Sequence, residues 1–240
     1  MSAAGAAARR PGGTEAAAAG TPVPGGLLAA ARRVEIAAGD AVFLQDDPGD
    51  TAYLVVEGRL KISQHTRARP SNVLAVLGPG EVFGELSLFD AGPRSASAQA
   101  LTDVTLRALH RDVLGELVES DPDVATWLLR QLARRLRRVT DTASRLVFSD
   151  VPARTAAVLL DLAEQFGIRD EAGALVVDHG LTQTELAQLA GATRETVNKA
   201  LSTFATREWI RVAKGSTRIV DRAALARRAG SGPQPSGVVR

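Results

Sequence analysis

The segment LTQTELAQLAGATRETVNK, residues 181–199, decides the fold of the C-terminal part of the chain. Thr182 and Glu185 have the spacing of a capping box, in which each side chain accepts a hydrogen bond from the other residue's backbone amide at the start of a helix. Gly191 interrupts the helical pattern, and Thr193 can cap a second helix directly after it. Two short capped helices joined by a glycine turn are typical of a helix-turn-helix.

Three positions inside this segment carry the residue types that a helix-turn-helix requires. Ala187, Gly191 and Val197 are the fifth, ninth and fifteenth positions when counting starts at residue 183. The small residue allows the two helices to cross closely, the glycine can take a positive φ in the turn, and the valine faces the core. We therefore predict one helix over 183–190 and a second from 194 to about 206.

The second of these helices separates into an apolar face and a polar face. On the polar face, Arg194 and Lys199 suit guanine and Glu195 suits cytosine N4, which are the usual pairings of a recognition helix in the major groove. Threonines at helix starts and a lysine in a turn between strands can contact phosphates. The apolar stripe consists of Val197, Ala200, Leu201 and Phe204. The predicted DNA-binding residues are Thr182, Thr193, Arg194, Glu195, Thr196, Asn198, Lys199 and Lys214.

The distribution of charge favours a nucleic-acid partner for the C-terminal part alone. Residues 181–240 contain ten basic and four acidic side chains, whereas residues 40–100 contain five basic and eight acidic ones. The net charge of +2 for all 240 residues therefore conceals a basic C-terminal part. The alternative interpretation of the segment is an ordinary helix pair with a solvated charged face. That interpretation explains neither the basic charge nor the small residues at the crossing and turn positions.

Upstream, from about Val34 to Leu114, short apolar segments alternate with Gly, Pro and Asp. Segments of this length, spaced by roughly 8–12 residues, are typical of a compact antiparallel barrel or sandwich. The predicted strands are 41–44, 52–56, 60–62, 73–77, 97–101 and 104–109. In the C-terminal part, a helix over 151–166 and strands over 174–177, 209–213 and 217–220 are predicted, which make the helix-turn-helix a winged one.

A long helix is predicted between these two parts. Asp121 is a suitable N-cap, and Pro122 suits the first helical turn. The apolar residues that follow recur at alternating spacings of three and four, the a/d pattern by which one helix packs along another in a coiled coil. This regularity favours a dimerisation helix over a helix that lies only on the core of its own domain. The a/d residues are Leu129, Leu132, Leu136, Val139, Ala143 and Leu146.

A candidate ligand site lies in the β-rich part, in the segments GEVFGELS (80–87) and GPRSA (92–96). Gly84 allows backbone amides to approach an anion, and a buried Arg94 supplies a bidentate fork for a phosphate. Glu85 can accept a hydrogen bond from a ribose hydroxyl. A Glu85–Arg94 salt bridge inside a barrel gives the same pattern, so the residues alone leave both interpretations open.

These segments resemble the cyclic-AMP receptor protein (Crp/Fnr) superfamily of transcription regulators, in particular its actinobacterial branch. The resemblance runs from about residue 34 to 229 and rests on FGELS (83–87), GPRSA (92–96), ARRL (133–136), LTQ (181–183) and TRETVNK (193–199). It implies an α+β protein with an N-terminal cyclic-nucleotide-binding β-roll (jelly-roll), a long dimerisation helix and a C-terminal winged helix-turn-helix. The expected boundaries are 31–120, 121–149 and 150–229, with a disordered Ala/Gly/Pro-rich tail at 1–30 and a second disordered tail at 230–240.

The resemblance also implies roles for individual residues. Gly84 and Ser95 would hydrogen-bond a cyclic phosphate, and Arg94 would neutralise it. Glu85 would hold the ribose 2′-hydroxyl, and Arg135 of the long helix would approach the same site. The implied ligand-binding residues are Gly84, Glu85, Leu86, Arg94, Ser95, Arg135, Val139 and Thr140. The base-reading positions of the family fall on Arg194, Glu195 and Lys199.

Two features depart from the family pattern. The family's cyclic-AMP binders usually carry two successive hydroxyl side chains on the dimer helix, which meet the adenine, where this chain has Val139 and Thr140. Since Val139 offers no hydrogen bond, the alternative prediction is a regulator on the same scaffold that is nucleotide-independent or senses another small ligand. The family also normally begins with a helix packed on the β-roll, and here the Ala/Gly/Pro tail occupies that place.

Composition argues against several other classes of function. Zero cysteines exclude thiolate metal sites, cysteine nucleophiles and the iron–sulfur oxygen sensors of the same family. The three histidines, His65, His110 and His179, lack the paired spacing of a metal site, and no Walker loop or Ser–His–Asp arrangement is present. No apolar run approaches the ~18 residues of a membrane span. We therefore expect a cytoplasmic protein that is not an enzyme and binds no metal.

The predicted function is that of a homodimeric, sequence-specific transcription regulator, controlled allosterically by a cyclic nucleotide, with cyclic AMP as the expected effector. The expected partners are double-stranded DNA with a palindromic operator and a second copy of the chain, with RNA polymerase as a further candidate. A third hypothesis, from another class, is a nucleotide-binding module whose helix-turn-helix contacts protein. The triplet Arg194, Glu195 and Lys199 argues against it, because its residue types match base-edge recognition.

Overall fold

The computed structural model describes residues 22–66, 69–90, 92–171 and 173–230. Most of the two predicted disordered tails, residues 1–21 and 231–240, lies outside this part of the chain. For residues 25–30 the tail prediction is wrong, since they form helix α1 (Gly25–Ala30). The helix forms because Leu27 is fully buried in one apolar cluster with Leu114 and Trp127. A helix therefore does pack on the β-rich domain, where the Ala/Gly/Pro composition predicts none.

Eight strands form two antiparallel sheets in the N-terminal domain. The sheets pack face to face with Leu60, Phe83 and Leu106 fully buried between them, which confirms the predicted β-roll. The strand orders are β1-β8-β3-β6 and β2-β7-β4-β5. The sequence pattern does not predict β1 and β6, because β1 is mostly polar and β6 has only two residues. The strands are β1 (Arg32–Ile36), β2 (Ala41–Phe43), β3 (Thr51–Glu57), β4 (Leu60–Thr66), β5 (Arg69–Leu77), β6 (Val82–Phe83), β7 (Ser97–Ala100) and β8 (Val104–His110).

Three helices follow or interrupt these strands: α2 (Leu86–Phe89), α3 (Arg111–Ser120) and α4 (Pro122–Phe148). Helix α4 begins as predicted, with the Asp121 carboxylate accepting a hydrogen bond from the Asp123 amide at 3.0 Å. Its first two turns bury Trp127 and Leu128 against the N-terminal domain. Most of the remaining helix is exposed, although its fourth turn still contacts the β-roll through Arg135.

The C-terminal domain has the predicted winged arrangement. One apolar core, which includes Leu159, Val197 and Phe204, holds its helices against a sheet of order β11-β12-β10-β9. The wing is the β11–β12 hairpin, whose turn is Lys214-Gly215, and Gly215 takes φ of +70°, a conformation that favours glycine. The elements are α5 (Val151–Phe166), β9 (Gly167–Arg169), β10 (Leu175–Asp178), α6 (Gln183–Leu189), α7 (Arg194–Thr206), β11 (Ile210–Ala213), β12 (Ser216–Ile219) and α8 (Arg222–Gly230).

Candidate functional site

Arg94 lies at the centre of the predicted ligand site and is only 4% exposed. The backbone of its loop is fixed by a hydrogen bond from the Arg94 amide to the Asp47 carbonyl at 2.9 Å. Its guanidinium donates to the carbonyls of Gly84 and Thr51, each at 2.7 Å, and to the Ser87 hydroxyl at 2.8 Å. Segments from β3, α2 and the neighbouring loops therefore hold one cation in a fixed position.

The charge of Arg94 is not balanced by an ion pair within the described ranges, where no carboxylate lies at salt-bridge distance from it. Its Nε is buried and lacks a hydrogen-bond partner there. The ring of Phe43 lies 4.2 Å from the guanidinium carbon. Burial lowers the pKa of Arg94, and the nearby Tyr53 and Asp50 oppose this effect. A buried cation with an unused donor is stabilised when an anion binds beside it.

Glu85 pairs with the long helix and not with Arg94. The Glu85 side chain is buried, and its Oε1 accepts a hydrogen bond from Arg135 Nη1 at 2.8 Å. Because Arg135 belongs to α4, this ion pair ties the long helix to the β-roll beside Arg94. Oε2 of Glu85 is buried without a partner in the described part of the chain. It can therefore accept a hydrogen bond from a ligand.

A cavity that is open to solvent lies beside Arg94. Phe43, Ile62 and Phe83 contribute an apolar wall that the sequence pattern does not predict. The predicted ligand-binding residues that line the cavity are Gly84, Leu86, Arg94, Ser95 and Arg135. The site thus combines a cationic end with an apolar wall.

Gly84 is constrained both by its backbone conformation and by its close approach to Arg94. Its φ is +75°, and a Cβ at this position would lie 2.8 Å from Arg94 Nη1. A side chain here would displace the guanidinium. The partners Thr51 and Ser87 of Arg94 are not predicted from the sequence. Thr51 lies 43 residues away in the chain, and nothing in the local pattern marks it.

Val139 and Thr140 lie outside the cavity lining. Both are exposed on α4, and the Thr140 hydroxyl donates to the Leu136 carbonyl of its own helix at 2.9 Å. Val139 continues a row of exposed apolar side chains along the predicted seam, in which Leu129 and Leu136 are each 66% exposed. The structure of one chain therefore brings six of the eight predicted ligand-binding residues together and leaves these two on the outer face of α4.

The helix-turn-helix forms as predicted. The Thr182 hydroxyl accepts from the Glu185 amide at 3.2 Å, and Glu185 Oε2 accepts from the Thr182 amide at 2.8 Å, which completes the capping box. Gly191 takes φ of +60° in the turn. The Thr193 hydroxyl caps α7 by accepting from the Thr196 amide at 3.4 Å. The predicted inward residues Val197, Ala200, Leu201 and Phe204 are all buried.

The outer face of α7 presents most of the predicted DNA-binding side chains to solvent. Arg194, Glu195 and Lys199 are exposed, as is Lys214 at the tip of the wing. Asn198 differs from the prediction: it is half-buried, and its Oδ1 is buried without a partner among the described residues, since it borders the apolar stripe. Hydrogen bonds from its own backbone amide and from the Thr193 hydroxyl lower the pKa of Glu195, which is therefore ionised at neutral pH.

His179 is buried in the loop that leads into α6. Its Nδ1 accepts a hydrogen bond from the Leu181 amide at 3.1 Å, and its Nε2 lies 3.4 Å from the buried Thr217 hydroxyl. Burial lowers its pKa from the ordinary value of 6.5, against the opposing attraction of Asp178. The folded domain therefore favours the neutral imidazole, which joins the start of the helix-turn-helix to the wing.

The lowered pKa of His179 predicts that the stability of the protein depends on pH. Below about pH 6.5 the unfolded chain takes up a proton at His179, while the folded chain resists protonation there. The free energy of unfolding therefore keeps its full value above that pH. It decreases as pH falls, by at most about 1.4 kcal/mol per pH unit from this group. We expect urea unfolding at pH 7.5 and 5.5 to show a smaller pH effect for His179→Gln than for the wild-type protein. His65→Gln, at an exposed site, is the control. An equal pH effect in His179→Gln and wild type would contradict the prediction.

Two other kinds of site are absent from residues 22–66, 69–90, 92–171 and 173–230. This part of the chain holds no group of three or more His, Cys, Asp or Glu residues that could bind a metal ion. It also holds no helix that is long and apolar enough to cross a membrane.

Comparison with protein families matches both parts of the molecule. Residues 33–121 match the cyclic nucleotide-binding domain, and residues 153–228 match the Crp-like helix-turn-helix domain. The chain is 47% identical over 196 residues to a CRP-like cAMP-activated global transcriptional regulator of Mycobacterium tuberculosis, which covers 82% of this chain and 87% of that protein. It is 38% identical over 187 residues to the cyclic AMP receptor protein of Thermus thermophilus, covering 78% and 83% of the two chains.

Solved structures agree with these matches. A CRP/FNR-family transcriptional regulator from Thermus thermophilus superposes with a TM-score of 0.71 at 31% identity, over 83% of this chain and 99% of that one. The c-di-GMP responsive regulator of Xanthomonas campestris superposes with a TM-score of 0.70 at 26% identity, over 81% and 96%. The resemblance seen in the sequence is confirmed: this chain belongs to the Crp/Fnr family of transcription regulators and combines a cyclic nucleotide-binding domain with a DNA-binding helix-turn-helix.

Proposed function

We propose that the protein is a homodimeric transcription regulator whose affinity for its operator is controlled by a cyclic nucleotide, most simply cyclic AMP. The observation that carries this proposal is the buried Arg94, which lies beside an open cavity and has no ion-pair partner in the described part of the chain. A cation in this setting selects an anion, and the guanidinium geometry suits a phosphate. Two relatives are named for cyclic AMP, which supports cyclic AMP as the phosphate-bearing ligand of this site.

Each part of the nucleotide has a counterpart in the cavity or directly beside it. The cyclic phosphate lies against Arg94, with hydrogen bonds from the Gly84 backbone and from Ser95. The ribose 2′-hydroxyl donates to Oε2 of Glu85, which is buried and otherwise unpartnered in the described part of the chain. The apolar wall, with Leu86, takes the purine face. Arg135 links this site to α4 through its ion pair with Glu85.

Calorimetric titration with cyclic AMP tests the effector. We expect saturable heat with one nucleotide per chain. The absence of heat at millimolar nucleotide would remove the ligand part of the proposal. That result would favour the alternative, a regulator on the same scaffold that is nucleotide-independent or binds another ligand. Two observations support this alternative: Val139 offers no hydrogen bond, and the fold is similar to that of a c-di-GMP responsive regulator. That alternative predicts operator binding that cyclic AMP leaves unchanged.

The dimer interface is the exposed a/d seam of α4. Leu129, Leu136, Val139 and Leu146 are between 48% and 66% exposed, an unusual extent of apolar surface for one helix face. Two such seams bury each other in a parallel coiled coil. In this arrangement the exposed Val139 and Thr140 of each protomer approach the partner's cavity, and Val139 contributes apolar contact to the purine without a hydrogen bond.

The operator is double-stranded and palindromic. A dimer that places its two α7 helices about 34 Å apart meets successive major grooves on one side of the duplex. Arg194, Glu195 and Lys199 read base edges, while Thr182, Thr193, Thr196 and Lys214 contact phosphates and Asn198 supports α7 from its half-buried position. RNA polymerase is a further candidate partner. In this proposal the protein is not an enzyme and acts in the cytoplasm.

Replacing Glu195 separates DNA reading from protein binding by the helix-turn-helix. Because a matched side chain discriminates its base by about 1–3 kcal/mol, Glu195→Ala should relax base preference at one symmetric operator position by about tenfold or more. Fluorescence anisotropy with operators substituted at each position measures this. Glu164→Ala, at an exposed site on α5, is the matched control. Unchanged base preference in Glu195→Ala would favour a helix-turn-helix that contacts protein.

The proposed domain limits are those expected from the sequence, with one change. The β-roll unit is extended at its start to include α1, since Leu27 is part of its core. The long helix at 121–149 and the winged domain at 150–229 keep the expected limits.

A further inference from the structure

Strand β4 lies between the ligand cavity and the helix-turn-helix. Neighbouring residues of a strand point to opposite faces of the sheet. Ile62 lines the cavity, and the adjacent Lys61 points the other way, out of the β-roll. There its ammonium group forms an ion pair with the Glu185 carboxylate at the start of α6. One strand of the β-roll therefore touches both candidate sites in the same chain.

This ion pair belongs to an extended interface between the β-roll and the DNA-binding domain. Gln188 of α6 accepts a hydrogen bond from the Val73 amide at 3.1 Å and donates to the Ser71 carbonyl at 3.0 Å, which covers the edge strand β5. Within the interface, the side chains of Lys61 and Glu185 are only 18% and 17% exposed. The contact is thus partly shielded from water, and its charge is less screened than that of a surface pair.

Glu185 poses an electrostatic problem for DNA binding. It is the third residue of α6, whose capped start carries Thr182, a proposed phosphate contact. Burial raises the pKa of Glu185, but hydrogen bonds from Lys61 and Thr182 outweigh it and hold the pKa below the ordinary value, so the carboxylate is ionised. An ionised carboxylate beside a phosphate-binding helix start repels the DNA backbone. The Lys61 ammonium offsets this charge from the β-roll side.

The docked arrangement also leaves the reading surface open. Arg194, Glu195 and Lys199 on α7 remain exposed while α6 is held by β4 and β5. Contact with the β-roll therefore does not compete with contact to base edges. It instead fixes the orientation of α6, against which α7 packs.

We propose that Lys61, a residue of the β-roll, is a positioning residue for DNA binding: it holds the start of α6 through Glu185 and neutralises the carboxylate there, so that the helix-turn-helix can approach the phosphate backbone. This role rests on the proposed DNA contacts of α6 and α7. It makes part of the β-roll a component of the DNA-binding surface, independently of the long helix.

A double-mutant cycle on the full-length protein tests this role by operator affinity. Lys61→Ala should weaken operator binding about tenfold at 0.1 M salt. The loss should shrink as salt rises from about 0.05 to 0.3 M, because salt screens the repulsion between the Glu185 carboxylate and the DNA phosphates. Lys61→Arg should restore the affinity. Glu185→Gln keeps the capping box, since glutamine also suits that position. In the Glu185→Gln background, Lys61→Ala should then cost less than about twofold.

The controls and the contrary outcomes are distinct. Arg33→Ala, which removes an exposed cation of the β-roll, should leave the affinity unchanged, and circular dichroism reports whether each variant is folded. The proposal is overturned if Lys61→Ala binds as well as or better than wild type, if its loss persists in the Glu185→Gln background, or if the loss is independent of salt. Failure of the wild-type protein itself to bind any palindromic operator would instead contradict the proposed function.

Discussion

Replacing Arg94 with alanine is expected to lower the affinity for cyclic AMP by about a hundredfold or more, which abolishes the response of operator binding to the nucleotide. Hydrogen bonds to a charged group contribute about 1.5–3 kcal/mol each, and the guanidinium can offer a phosphate more than one. Since about 1.4 kcal/mol corresponds to a factor of ten in affinity, the loss of two such bonds exceeds a hundredfold. Calorimetry measures the affinity, and operator binding with and without nucleotide measures the response.

A matched control for this substitution lies in the same loops. Arg111 donates to the carbonyls of Gly49 and Ser87 at 3.0 and 2.8 Å but does not line the cavity. Arg111→Ala therefore removes comparable local hydrogen bonds while leaving the cation of the site in place, and its affinity for cyclic AMP should change only a few-fold. Sedimentation analysis should show Arg94→Ala to remain dimeric. A monomeric or unfolded Arg94→Ala would indicate a structural role, and full affinity in a folded variant would contradict the anion site.

Leu136→Glu is expected to have the largest effect on DNA binding. The side chain is 66% exposed at an a position of the α4 seam, so the substitution leaves the fold of one chain intact and places two like charges face to face in the dimer. The variant should be monomeric at micromolar concentration. A monomer loses the linkage between half-sites, which commonly contributes a factor of about 10²–10⁴ in affinity. Operator affinity should fall accordingly, down to that of a single half-site.

The comparison for this variant is a charged substitution at an exposed apolar residue outside the seam. Ile168 is 74% exposed on β9, and Ile168→Glu should remain dimeric and bind the operator normally. Sedimentation equilibrium distinguishes the two variants directly. A dimeric Leu136→Glu with normal operator affinity would show that the seam of α4 is not the interface between protomers.

The parts of the molecule that the sequence predicts well are those set by local signals. The helix-turn-helix follows from two threonine caps and from Gly191, which takes φ of +60° in the turn between the two helices. Helix α4 follows from Asp121, Pro122 and a continuous apolar repeat. Each of these features depends on residues within about two helical turns in the chain, so the sequence pattern predicts it correctly.

The parts that the sequence does not predict depend on distant residues. Phe43 and Thr51 reach Arg94 across the β-roll, and Lys61 reaches Glu185 across 124 residues of chain. Helix α1 escapes prediction because one buried leucine, Leu27, outweighs a composition that otherwise favours a disordered tail. Asn198 is half-buried although its helical position favours exposure. Such contacts are set by tertiary packing, for which local periodicity carries no signal.

In the proposed function, a ligand in the cavity at Arg94 controls DNA binding by α7. The most direct measurement is the affinity of the full-length protein for a palindromic operator, determined by fluorescence anisotropy at fixed salt with and without saturating cyclic AMP. Coupling between two sites commonly amounts to about 5–150-fold, so we expect cyclic AMP to increase operator affinity within that range for wild type and not at all for Arg94→Ala. Equal operator affinity of the wild-type protein with and without cyclic AMP would contradict this expectation.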